Sequence, residues 1–140
     1  MTKTKTLQDG SIQITIPLPP ITKKNHQQIM RSSKTGKPFV MPSAEYRQYE
    51  AQAVWHCKRA AISAGVHKPI DTPCEVRCLF YMPSRRRVDL TNLLESADDA
   101  LVAAGVLADD NSQIIVSHDG SRVLYDKDSP RTEVTISPYE

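Results

Sequence analysis

Between Arg87 and Arg122 the chain carries no lysine or arginine, although 24% of its 140 residues are charged and its net charge is +2. Inside that gap, by Asn111, stand Asp89, Glu95, Asp98, Asp99, Asp109 and Asp110. Acids with no cation among them repel one another when a fold brings them close. The segment is therefore either a solvated acidic face or a site that a divalent metal completes. Other things are missing too. No apolar run approaches the roughly 20 residues a membrane span needs. The polar N-terminus, with Lys3 and Lys5, has no apolar h-region, so no signal peptide and no membrane partner are expected, and a cytoplasmic location follows as the default. There is no Gly-rich phosphate loop, no Cys-x-x-Cys and no Ser-His-Asp order, which removes the familiar nucleotide-binding, dithiol and triad classes.

Cysteine is scarce. Cys57, Cys74 and Cys78 make an odd count. Cys74 and Cys78 fall on one face of a predicted strand, about 13 Å apart at strand rise, too far for a disulfide. All three read as free thiols in the core. His56 with these cysteines fits no standard zinc spacing. The four histidines are scattered and read as surface or partly buried polar residues; His118 stands out because it ends a predicted strand after Asp110.

What remains describes one α+β domain spanning residues 1–140. Ser11 to Ile16 alternates Ile12, Ile14 and Ile16 with polar residues, the pattern of a half-buried strand that Pro17, Pro19 and Pro20 end. Residues 21–42 read as a long basic loop, with a short hairpin around Thr35-Gly36. Its Lys23, Lys24, Lys34 and Lys37 are either solvated or in contact with a DNA backbone. Ser43 is a helix N-cap and Gly65 the stop of a first helix. Tyr46, Tyr49 and Trp55 on that helix read as core or dimer packing. A second strand covers Cys74–Met82. A second helix covers about Thr91–Ala104, with Leu93, Leu94, Ala97, Ala100, Leu101 and Ala104 in one arc. Strands over Gln113–His118 and Thr132–Ser137 close the chain. The expected order is β-α-β-α-β-β, a small mixed sheet with two helices on one face.

Charge is segregated: residues 1–70 carry eleven Lys/Arg and three Asp/Glu, residues 71–140 seven and thirteen. A basic half is a mild signal for a polyanionic partner. On the second helix Asn92, Glu95, Ser96 and Asp99 share the face opposite the apolar arc. Asp89 precedes this helix and Asp109 and Asp110 follow it, so Val106-Leu107-Ala108 must fold back for them to meet. Read from the residues alone, a solvated acidic face is the ordinary explanation. The alternative is a Mg²⁺ or Mn²⁺ site for phosphodiester hydrolysis, with Arg85, Arg86 and Arg87 drawing the anionic backbone toward carboxylates that would otherwise repel it.

The ordered set Met82-Pro83-Ser84-Arg85-Arg86-Arg87-Val88-Asp89-Leu90-Thr91-Asn92-Leu93, Asp99-Ala100-Leu101, Ala104-Gly105, Asp109-Asp110 and Gln113-Ile114 resembles the RusA family of Holliday junction resolvases. Ile16-Pro17-Leu18-Pro19-Pro20, Ser43-Ala44-Glu45 with Tyr49, and Arg131 to Ile136 are similar to that family's opening strand, first helix and last strand. The resemblance implies a homodimeric, Mg²⁺-dependent endonuclease acting on four-way DNA junctions in recombination and repair, in a prophage setting. It implies metal ligation and catalysis by Asp89 and Asp110, with Asp109 beside them. Two positions depart from the family pattern: Thr91 stands for the second acid of its D-x-D-N motif, and Glu95 for its lysine. Glu95 lies one turn from Thr91, so it is expected to restore the lost carboxylate as a third metal ligand, with Thr91 and Asn92 in support and Thr91 either as helix N-cap or hydrogen-bonded to a metal-bound water. Arg85, Arg86, Arg87, Lys127, Lys23 and Lys24 are expected on phosphates. The alternative reading is a branched-DNA-binding protein of the same fold that does not cut.

Overall fold

The structure is a computed structural model that describes residues 4–6, 10–23 and 27–139, with side chains over 10–23 and 29–139. Its elements run β1 (Thr4–Thr6), β2 (Ile12–Ile16), β3 (Gln27–Arg31), β4 (Pro38–Pro42), α1 (Ala44–Ser63), β5 (Cys74–Met82), α2 (Leu90–Ala103), β6 (Ile115–Ser117), β7 (Arg122–Tyr125) and β8 (Arg131–Pro138). The main sheet has the order β1-β2-β8-β5-β6, and β7 also pairs with β5. β5 is antiparallel to β8 but parallel to β6 and β7, so the sheet is mixed, as expected. β3 and β4 form a separate antiparallel hairpin.

Alternation decides which face is covered. Ile12, Ile14 and Ile16 of β2, Cys74, Val76, Cys78 and Phe80 of β5, and Thr132, Val134 and Ile136 of β8 are all buried. They join Ala53, Cys57 and Ala60 of α1 and Leu93, Ala97, Ala100 and Leu101 of α2 in one core. Full burial of an Ile or Phe side chain contributes about 1.5–3 kcal/mol relative to exposure. The small residues of α1 let that helix sit close to the sheet. All three cysteines are buried free thiols, and burial pushes the Cys57 thiol up to about 12. Of the two roles expected for Trp55, core packing does not hold: it is 51% exposed, and Arg59 stacks over its ring at 4.7 Å. Among the described residues no helix is long and apolar enough to cross a membrane.

The helix ends follow from their caps. Ser43 Oγ accepts from Tyr46 N at 3.1 Å and starts α1 as expected. The expected N-cap Thr91 is corrected to Asp89: α2 begins one residue earlier, at Leu90, and Thr91 sits in its first turn. The cause is Asp89, still extended as the chain enters the helix (φ −86°, ψ 123°). At the other end Gly105, with φ 75°, takes the left-handed position that reverses the chain.

The parallel edge of β5 is interrupted. β6 pairs with Cys74 and Glu75, β7 with Leu79 to Met82, and the chain leaves the sheet between them. Side chains complete the ladder there. Cys78 N donates to Ser121 Oγ at 3.0 Å, and His118 Nδ1 donates to Val76 O at 2.8 Å. Gly120 makes this excursion possible: its φ is 84°, and a Cβ on it would lie 2.9 Å from Arg77 Cδ. The second nitrogen of His118 meets Asp98 Oδ2 of α2 at 2.8 Å. With Nδ1–H committed to a carbonyl, Nε2 donates to an ionised carboxylate only if the ring is an imidazolium. The hydrogen bond to Asp98 holds His118 above its ordinary pKa. Burial, outweighing the pull of His118, holds the Asp98 carboxyl above its own.

Both shifts are upward, so the folded protein binds these protons more tightly than the unfolded chain, and the stabilisation declines as pH rises. His118 contributes fully below its unfolded value of about 6.5 and less as pH climbs through its folded one. His118→Ala is therefore expected to lower stability by about 1–3 kcal/mol near pH 6, with the deficit shrinking toward pH 8.5. Denaturant unfolding at both pH values checks this. An equal deficit at both would mean that the ring is neutral in the fold.

Candidate active site

Strand directions gather the candidate cations. β2, β5 and β7 all point toward one end of the sheet, where β8 begins. Three loops leave there: 17–23 after β2, 83–89 after β5 and 126–130 after β7. Asp126 N donates to Met82 O at 2.9 Å and ties the last loop to the second. Arg85 stacks over the Tyr125 ring at 4.3 Å. Lys127 is exposed two residues beyond that ring. Its loop is held by Arg131, which donates to Asp126 Oδ2 at 2.9 Å, Ser129 O at 2.7 Å and Glu133 Oε2 at 2.8 Å and lies 3.8 Å over the Tyr81 ring. That contact with Arg131 holds the Asp126 carboxyl below its usual range. Arg86 and Arg87 line an open cavity of about 350 Å³ with Pro20, Ile21, Met82 and Val88. Arg85, Arg86, Arg87 and Lys127 thus share one end of the sheet.

Asp89 stands next to them as the N-cap of α2. Its side chain makes no capping bond; it is exposed and accepts one long hydrogen bond, 3.3 Å, from Asn92 Nδ2. A free carboxylate here faces the positive end of a helix dipole. Thr91 and Glu95 are both exposed, one turn apart on the helix.

The other acids lie elsewhere. The chain after α2 does fold back, with Val106 N and Leu107 N donating to Leu101 O at 3.0 and 3.3 Å. Ala108 N then bonds Ile70 O, and Cys74 N bonds Ile114 O. These bonds hold Asp109 and Asp110 beside the beginning of β5, at the opposite end from Asp89. Asp110 is close enough to Asp98 for its charge to raise that carboxyl. Asp109 is turned onto its own loop: Oδ1 accepts from Asp110 N at 2.8 Å and Oδ2 from Asn111 Nδ2 at 3.2 Å. Among the described residues no three His, Cys, Asp or Glu side chains are grouped to hold a metal ion. The expected convergence of Asp89, Glu95 and Asp110 is thus corrected: the fold-back stops at Leu101, two residues from the end of α2. The donor set fits an ion held by one or two carboxylates and completed by water and phosphate, the usual manner of Mg²⁺, rather than an all-protein cage.

Lys24 lies outside the described residues, and Lys23 does not point freely into solvent. Its Nζ lies 3.5 Å from Asp99 Oδ2 on α2. Contacts that sequence did not reveal hold the Lys23 loop. Ser96 Oγ donates to Ile21 O at 3.1 Å, and having spent its proton there it accepts from the Tyr46 hydroxyl at 3.1 Å. These bonds join residues 50 and 75 positions apart; Ser96 on the polar arc of α2 was the only available hint.

The family described as endodeoxyribonuclease RusA matches residues 17–137. The crossover junction endodeoxyribonuclease RusA of Escherichia coli strain K12 is 34% identical over 101 residues, 72% of this chain and 75% of the relative. The protein of that name from Escherichia coli O1:K1 has the same identity and coverage. The counterpart from Enterobacteria phage 82 is 31% identical over an equal span. The match takes in all three loops at the basic end of the sheet, Asp89 and the paired aspartates, and the chain belongs to the RusA endodeoxyribonuclease family.

Proposed function

We propose that this protein is a divalent-metal-dependent endonuclease that resolves four-way DNA junctions, acting as a homodimer. The observation that carries the reading is the meeting of Arg85, Arg86, Arg87 and Lys127 with the free carboxylate of Asp89 at one end of the sheet, in a chain of this family. The cations bind phosphates and lower the local potential for an anionic backbone. The amide end of α2 favours a phosphate oxygen beside Asp89. Asp89 would hold Mg²⁺ or Mn²⁺ together with water and phosphate oxygens, with Glu95 further along α2 as the nearest supporting acid on that helix; when bound, the ion would acidify a water and offset charge on the phosphate. The reaction is hydrolysis: a water oxygen bonds to phosphorus, the P–O3′ bond breaks, and the 3′ oxygen takes a proton, leaving a 5′-phosphate. Glu95, one turn from Thr91, supplies a carboxylate to the face where Thr91 has none.

A second reading, a branched-DNA binder that does not cut, is favoured by Thr91 and by the separation of Asp89 from Asp110. A two-fold symmetric junction calls for two paired cuts, hence two copies. The hairpin β3–β4 supports a dimer. Its cross-strand pairs Ile29–Val40 and Met30–Phe39 present apolar side chains that are 74, 59, 41 and 46% exposed, and an isolated two-stranded ribbon is marginal without cover.

Three outcomes are expected. Asp89→Asn reduces cleavage of a synthetic four-way junction in Mg²⁺ on the order of 10²-fold or more while junction binding persists, and Glu95→Gln reduces it as well; a Glu95→Gln protein that cuts like wild type removes Glu95 from the mechanism. A wild type that binds junctions in Mg²⁺ and Mn²⁺ yet leaves them intact establishes the binder instead. Replacing Arg85, Arg86 and Arg87 with alanine weakens binding to all DNA and lowers the slope of log Kd against log salt by about 2–3, one unit per lost phosphate contact. Ile29→Asp with Val40→Asp shifts the protein toward monomer in light scattering; an unchanged mass puts the interface elsewhere.

A further inference from the structure

The solvent face of α2 bears Glu95 and Asp99 and has no cation of its own, since the chain has no Lys or Arg from 88 to 121. A phosphodiester approaching that face from Asp89 meets only negative charge. Among the described residues a cation is brought to it from elsewhere: Lys23, whose Nζ lies 3.5 Å from Asp99 Oδ2.

The placement is built rather than incidental. Pro17, Pro19 and Pro20 stiffen the approach, because each fixes its backbone φ. Ile21 O is fastened to Ser96 Oγ, which is in turn braced by Tyr46, itself 1% exposed. Thr22 is 2% exposed. The backbone on both sides of the fastening is therefore set, and Lys23 emerges from it over α2 with its side chain 39% exposed. Two residues before it, Ile21 lines the cavity that Arg86 and Arg87 share. The loop thus runs from the arginine cavity to the acidic face, with its cation at the far end. An ammonium has three donors, so one bond to Asp99 leaves two for a phosphate.

We propose that Lys23 is the phosphate-positioning cation of the α2 face, held by Asp99 and aimed by the Tyr46–Ser96–Ile21 chain. This rests on the nuclease reading for its role in cleavage, and on geometry alone for its contact with DNA. A positioned charge that steadies the reacting phosphate changes the rate more than the affinity, because many other contacts share the binding.

Two measurements test it. In single-turnover cleavage at saturating protein, Lys23→Ala is expected to slow the reaction about 10- to 100-fold while changing the junction Kd by less than about threefold, and Lys23→Arg recovers most of the rate. Lys58→Ala, on the exposed side of α1, controls for the loss of one charge and cuts like wild type. Independently of cutting, Lys23→Cys is expected to form a disulfide with a junction carrying a thiol tethered to a phosphate at the branch, and Lys58→Cys is not. The native cysteines are buried and do not compete. Cross-linking at position 23 together with a wild type that leaves junctions intact in Mg²⁺ and Mn²⁺ upholds the Lys23 contact and overturns the nuclease reading. Full-rate cleavage by Lys23→Ala, a loss of affinity without a loss of rate, or no cross-link at position 23 overturns the Lys23 inference and leaves the nuclease reading standing.

Discussion

Because β5 hydrogen-bonds to β8 along one edge and to β6 and β7 along the other, three strands running in one direction must discharge their loops at the same end of the sheet. Everything basic at the site follows from that pairing. The arginines leave β5, Lys127 leaves β7, and the proline segment that carries Lys23 leaves β2. None of these segments has a core of its own; each is positioned by the strand it continues and by side-chain clamps. For the three loops these clamps include Arg131 on Asp126, Tyr125 under Arg85, and Ser96 on Ile21. A site assembled this way tolerates exposed loops because the ends of the loops are fixed by the ladder.

The same pairing explains why α2 carries opposed duties. Its apolar arc must reach the core through Leu93, Ala97 and Leu101, which leaves Asn92, Glu95 and Asp99 for solvent. Asp98 falls between these arcs and is buried at 9% exposure, with Oδ1 lacking any hydrogen-bond partner among the described residues. It remains there because His118 reaches it across the gap in the β5 edge. The interruption between β6 and β7 is thus structural in purpose: it releases one histidine from the sheet to compensate a buried carboxylate on the helix.

Periodic segments were legible in the sequence and aperiodic ones were not. β5 was bounded correctly by Cys74 and Met82, and α1 by Ser43 and Gly65, since alternation and capping are local properties. β7 escaped because Arg122-Val123-Leu124-Tyr125 is an edge strand with three exposed residues, so burial imposes no alternation on it. Residues 21–42 read as a long loop with a short hairpin around Thr35-Gly36; the hairpin is there, but its strands reach 27 and 42, further than was legible, because their apolar side chains emerge on both faces of an isolated ribbon. At the site, the arginine triplet and Asp89 were legible from motif order. The pairs Lys23–Asp99 and Asp98–His118 were not, for each depends on a tertiary contact that no local pattern encodes. The expected meeting of Asp89 with Asp110 failed for a related reason: a loop's direction of return is set by its partners, here Ile70 and Leu101, and not by the residues that would benefit.

Binding and cutting make different electrostatic demands on this fold, and the family resemblance alone does not separate them. The basic end of the sheet attracts DNA whatever the acids do, since counterion release depends on the number of phosphates neutralised. Chemistry needs charges of both signs within a few ångströms of one phosphorus. Relative to the family pattern Thr91 removes an acid from the first turn of α2 and Glu95 puts one in place of a lysine a turn later, so the helix keeps its number of acids, lacks that cation and carries its negative charge nearer Asp99. A site centred further along α2 moves away from the arginines and toward Lys23. The loop after β2 then becomes as much a part of the active surface as the loop after β5, and the rigidity given by Pro19, Pro20 and the Ser96 clamp ceases to be a detail of packing. In this chain the position of the negative charge on α2 and the position of Lys23 have to be read together.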